Sequence, residues 1–87
     1  MGMMIVCLKV KDFGSWRQLF DAGRPQREIA GLSNERVYRS ADDGNELALL
    51  MDASDLGKAK EFAASTGRKA AMEKAGVIGT PTDYFAE

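Results

Sequence analysis

The chain has 87 residues, 45% hydrophobic and 8% aromatic, with 12 Lys and Arg against 13 Asp and Glu, no histidine and one cysteine. A chain of this length forms one domain, here 1–87, whose modest core is often completed by assembly, and its balanced charge creates no field favouring nucleic acid or an anionic membrane. The lack of histidine removes Ser-His and Cys-His nucleophile pairs, histidine metal sites and the commonest general base, and one cysteine is too few for a zinc or iron–sulfur ligand set.

The opening residues, "MGMMIVCLKV", contain no basic leader and no apolar run long enough to span a membrane, which predicts a cytoplasmic protein. From Met3 to Val10 both alternating sets are mostly apolar, so the stretch reads as a strand covered on both faces, with Cys7 as a small buried hydrophobe. "KDFGSWRQLFDAG" changes to helical spacing: Asp12 or Ser15 can cap, and Trp16, Leu19, Phe20 and Gly23 share one stripe. Pro25 cannot donate to a continuing helix, so Gly23-Arg24-Pro25 should kink or restart it before Gly31 stops the chain.

"ERVYRSADDGNELALLMD" reads as two strands joined by a tight turn at Asp43-Gly44. Counting outward pairs Ala41 with Glu46, Arg39 with Ala48, Tyr38 with Leu49 and Val37 with Leu50. One face then carries Val37, Arg39, Ala48 and Leu50, and the other Tyr38, Leu47, Leu49 and Met51. Asp42, Asp43, Asn45 and Glu46 resemble oxygen ligands for calcium, but a turn accounts for them and the EF-hand spacing is missing. From Ser54 a second helix exposes Leu56, Ala59, Phe62 and Ala63 on its apolar side, a short helix follows through Met72 and Ala75, and Gly76 ends it. "AGVIGTPTDYF" has glycines after a helix rather than before one and no P-loop lysine, so it turns the chain rather than cradling phosphate. A last strand is expected over about Thr82 to Ala86.

The order is β-α-β-β-α-β, an α+β ferredoxin-like sandwich with helices on one face of a four-stranded antiparallel sheet. RNA binding on this topology stacks bases on aromatics in strands 1 and 3, and "MMIVCLKV" and "ELALLMDA" contain none. Ile5, Cys7, Leu47, Leu49 and Met51 on an uncovered face would make a patch of the kind that marks an interface, which predicts a homodimer with the two sheets face to face.

The candidate ligand-binding residues are Trp16, Phe20 and Gly23 on the first helix, Met72 on the last, and Tyr38 or Arg39 from the hairpin. They form either plain core or the wall of a small apolar pocket. An arginine on a core face needs a carboxylate, a carbonyl or a ligand anion; if the helices cover the Tyr38 face instead, Arg39 points toward the partner subunit.

"VKDFGSWRQLFD", "REIAGL", "RVYRSADDGNELALLMD", the pattern AxxFAxS and "MEKAGVIG", in this order and over roughly Met4 to Glu87, resemble small members of the dimeric α+β barrel superfamily. This group includes the antibiotic biosynthesis monooxygenases and short cyclase-like proteins. The resemblance implies a homodimer with a pocket between sheet and helices in each subunit, lined or flanked by Trp16, Phe20, Tyr38 and Arg39. Some members oxidise polycyclic phenols with oxygen and no metal or flavin, so no cofactor is expected, and others bind small aromatics. Relatives often carry histidine near the position of Gly23, and its absence removes an obvious proton acceptor. The functions implied are small-molecule binding, cofactor-independent oxygenation or cyclisation of an aromatic polyketide-like substrate, or a structural or stress-related dimer.

Overall fold

A computed structural model describes residues 2–87. The β-branched and apolar run at the start extends as β1 (Gly2–Val10). Asp12 then caps α1 (Phe13–Ala22) by accepting from the Ser15 N–H at 2.9 Å. Gly23 ends α1 and begins α2 (Arg24–Ile29), where Pro25 occupies an early position that has no intrahelical partner to lose. Gly31, at φ 79°, turns the chain into β2 (Leu32–Arg39), and β3 (Glu46–Ala53) follows. Asp55 and Ser65 cap α3 (Leu56–Ala63) and α4 (Thr66–Lys74), and β4 (Val77–Ala86) closes the chain.

The strands form one antiparallel sheet in the order β2-β3-β1-β4, the ferredoxin-like arrangement, with each helical connection divided into two short helices. Met4, Val6 and Leu8 of β1 pair across the sheet with Met51, Leu49 and Leu47 of β3, and all six are buried beneath the helices. Trp16 from α1, Ala59 from α3 and Leu32 complete this core. Burying each large apolar side chain contributes roughly 1.5–3 kcal/mol.

The hairpin differs from its expected geometry. Residues 40–45 form a six-residue connection, and Gly44 does not adopt positive φ. The register therefore shifts by one: Val37 pairs with Leu49, Tyr38 with Ala48 and Arg39 with Leu47. Leu47, Leu49 and Met51 belong to the helix-covered core, and the opposite face carries Ile5, Cys7, Tyr38, Ala48 and Leu50. Cys7 is exposed there, not buried.

A bulge in β2 sets the faces. Ser33 pairs with Asp52 and Arg36 with Leu50, so Asn34 and Glu35 together oppose Met51. Asn34 takes φ 51°, the one positive value outside glycine among the described residues. The extra residue changes the alternation and puts both Leu32 and Val37 on the core side, with Glu35 between them.

β4 is longer than the 82–86 stretch read from the sequence. Three residues, 79–81, lie between the partners of Cys7 and Lys9, where β1 has only Leu8. Gly79, at φ 70°, forms this irregularity, and Pro81 is tolerated because β4 is an edge strand. Gly76, at φ 81°, stops α4, and its carbonyl accepts from the Lys11 N–H at 3.0 Å. Both glycines thus shape the chain, in agreement with the turn reading.

Candidate functional site

Phe13, Trp16 and Phe20 stand three and four residues apart on α1 and so share one face. The Phe13 and Trp16 ring centroids are 5.9 Å apart at 34°, and those of Trp16 and Phe20 are 4.7 Å apart at 22°. A guanidinium stands at each end of this row. Arg39 Cζ lies 4.2 Å from the Phe13 centroid, and Arg27 Cζ lies 3.8 Å from that of Phe20. Such cations are held by the negative face of the ring, more strongly as water is excluded.

Beside the Phe20 end, the α1–α2 pair, the α3–α4 pair and the sheet surround a cavity of about 590 Å³. Met4, Val6, Leu49 and Met51 supply its sheet side, and Ile29, 81% exposed, marks its mouth. Of the six residues singled out in the sequence, Trp16, Phe20, Gly23 and Met72 line this space, whereas Tyr38 and Arg39 do not. Tyr38 lies on the outer sheet face and is 55% exposed. Arg39 faces the helices at the far end of the aromatic row, where its Nε donates to the Gly44 carbonyl at 2.8 Å. The one-residue shift in hairpin register is the reason for both placements.

Two arginines that the sequence reading passed over line the cavity, Arg27 buried and Arg68 partly buried. Arg68 is fully engaged: Nη1 and Nη2 donate to the Asp83 carboxylate at 2.8 and 2.7 Å, and Nη1 also reaches the Ala63 carbonyl at 3.1 Å. Arg27 is not. Its Nε donates to Glu35 at 2.9 Å, while Nη2 is buried without an acceptor among the described residues. Glu35 reaches this position through the bulge at Asn34. Gly23 leaves room for the guanidinium, since a Cβ at residue 23 would stand 3.2 Å from Arg27 Nη1.

A sequence signal for Arg27 exists in its spacing. Residues 16, 20, 23 and 27 continue one helical stripe through the break at Pro25. The stripe reads as ended at Gly23 because the next member is charged.

Two carboxylates titrate below the ordinary range, and neither lines the cavity. The Ser15 backbone N–H holds Asp12 down, and the Asn45 backbone N–H holds Asp43 down with help from Lys9. Among the described residues, no three His, Cys, Asp or Glu side chains converge where they could hold a metal ion. No helix of the structure is long and apolar enough to cross a membrane.

No protein-family model matches the sequence, and no curated protein matches it either. Solved structures do match along almost the entire chain. A protein from Bordetella bronchiseptica proposed to be an antibiotic biosynthesis monooxygenase superposes with a TM-score of 0.80 at 14% identity, covering 99% of this chain and 94% of that one. A Caulobacter crescentus protein with the same proposed assignment gives 0.70 at 16% identity, covering 97% and 85%. SnoaB from Streptomyces nogalater, a cofactor-independent oxygenase, gives 0.72 at 12% identity, covering 99% and 90%. The chain therefore has the ferredoxin-like α+β fold of the antibiotic biosynthesis monooxygenase structures.

Proposed function

We propose that the chain is a homodimeric protein that binds a small, flat apolar or aromatic molecule between the Trp16–Phe20 wall and Met72. The observation that carries this reading is the cavity. At about 590 Å³ it falls within the roughly 300–1,000 Å³ usual for small-molecule sites, and its walls are mostly apolar with a few polar side chains. The cavity opens to solvent at Ile29, so a small molecule has a way in. Trp16 is the single tryptophan of the chain, which makes its emission a direct reporter of occupancy. Titration with anthrone and with a substituted quinol should give a saturable emission change that Phe20→Ala weakens several-fold. No saturable change across the panel, with no small molecule retained in native mass spectrometry, would overturn the reading.

A second reading is supported by the shared fold with SnoaB, a cofactor-independent oxygenase. In that role the aromatic wall would orient a phenolic substrate whose own acidity supplies the reactive anion, since the chain has no histidine to act as base. Oxygen uptake with anthrone that disappears in Trp16→Ala supports the oxygenase; saturable binding without uptake leaves the binding protein.

A further inference from the structure

We propose that Arg27 is the group that selects the ligand of this cavity, and that the ligand is an aromatic molecule bearing an ionised oxygen, a carboxylate or phenolate. The inference rests on the binding reading above and gives it a charge. Arg27 is 94% buried by its 6% exposure, yet its Nη2 has no acceptor among the described residues. Leaving a buried donor of a charged group unpaired is costly, and such a donor calls for an acceptor from a water, an ion or a ligand.

The local charge points the same way. Glu35 accepts from Arg27 at 2.9 Å and lies 3.9 Å from Arg24 Nε, so one carboxylate faces two guanidiniums. Lys74 adds a cation to the lining of the cavity, and Arg68 and Asp83 neutralise each other. The charges around the cavity therefore sum to a positive excess. Its guanidinium is planar, lies on the Phe20 ring and presents a fork that matches a carboxylate or the oxygen of a phenolate. A ring seated in the cavity against the Trp16–Phe20 wall could carry an attached oxygen toward Arg27, which lines the same cavity. Gly23 fits the same design, because a side chain there would press on Arg27 Nη1.

The test compares 2-naphthoate, ionised at neutral pH, with its uncharged methyl ester, by calorimetry and Trp16 emission. In the natural protein the acid should bind about tenfold more tightly than the ester, the range expected for one charge-assisted hydrogen bond. The double variant Arg27→Met with Glu35→Gln removes both charges without stranding a buried carboxylate. It should bind acid and ester equally, losing the preference for the acid. Arg24→Gln, an exposed change at the mouth, should keep that preference. If the double variant does not fold, Arg27→Lys retains the charge and loses the fork, and the preference should fall several-fold. Equal binding of acid and ester to the natural protein, or an unchanged preference in the variants, overturns the assignment of Arg27 and leaves the cavity reading intact. Binding of neither probe removes the cavity reading and this assignment with it.

Discussion

At the scale of single residues, the same side-chain type plays opposite parts according to what it faces. Arg68 and Arg27 both line the cavity, but the first is saturated by Asp83 and a carbonyl, and the second retains a free donor. Arg68 is therefore structural, and Arg68→Met should destabilise the fold by about 1–3 kcal/mol, because it leaves the partly buried Asp83 unpaired. Urea unfolding measures this, and a change below about 1 kcal/mol would contradict the pairing. Asn34 is a second such residue. Its positive φ creates the bulge that turns Glu35 inward, so Asn34→Val should cost about 1–3 kcal/mol in a backbone conformation that β-branched residues avoid. Asn34→Gly should be nearly neutral. Asp12 supplies a pH effect whose sign follows from its shift. Its folded-state titration lies below the ordinary carboxylate range, so the stabilisation is present above that range and is lost as pH falls through it. Asp12→Asn should flatten the acid limb of stability, read as a smaller loss in the urea midpoint between pH 7 and about pH 3 than the natural protein shows.

At the scale of elements, the acidic connection between β2 and β3 serves as a clamp. The Asn45 carbonyl accepts from the Val10 N–H at 2.9 Å, and its Oδ1 accepts from the Phe13 N–H at 3.2 Å. The loop thus ties the end of β1 to the start of the aromatic helix, which explains the run of Asp and Asn without a bound ion. Asn45→Ala should lower stability by about 1–2 kcal/mol and loosen the first turn of α1, seen as faster amide exchange at Phe13. Unchanged exchange there would remove the clamp. The elements themselves were legible in the sequence because their signals are local: the capping Asp12, Pro25 after Gly23, and Gly76 after α4. The faces of the hairpin were not. They depend on a bulge at Asn34 and a six-residue connection, and a shift of one residue reverses every side chain. The site was legible to the same degree. Trp16, Phe20, Gly23 and Met72 follow helical spacing, while Arg27 and Glu35 meet only through a bulge that no pattern of hydrophobic residues announces.

At the scale of the whole molecule, the helices cover one side of the sheet and leave the other side open. Ile5 pairs with Leu50 across β1 and β3, Tyr84 stands across from Ile5 on one edge strand, and Tyr38 across from Ala48 on the other. Tyr38 and Tyr84 are 55% and 63% exposed, so apolar and aromatic groups cover much of this face, with the Arg36–Asp52 pair beside Leu50 on the β2 side. Contiguous surfaces of this kind are uncommon on monomers and common at interfaces. Two copies packed through these faces would bury these groups and leave each cavity on the far side of its own sheet. In the proposed dimer, ligand binding and assembly are therefore separable, since the residues of one face the helices and those of the other face the partner. Leu50→Asp, placed on this face, should convert a dimer into a monomer in light scattering at micromolar concentration. It should leave the wild-type preference of the cavity for 2-naphthoate over its ester, provided the monomer remains folded by circular dichroism. A natural chain that is already monomeric at that concentration would remove the face-to-face dimer, and a Leu50→Asp monomer that is folded but has lost the cavity would show that the two faces depend on each other.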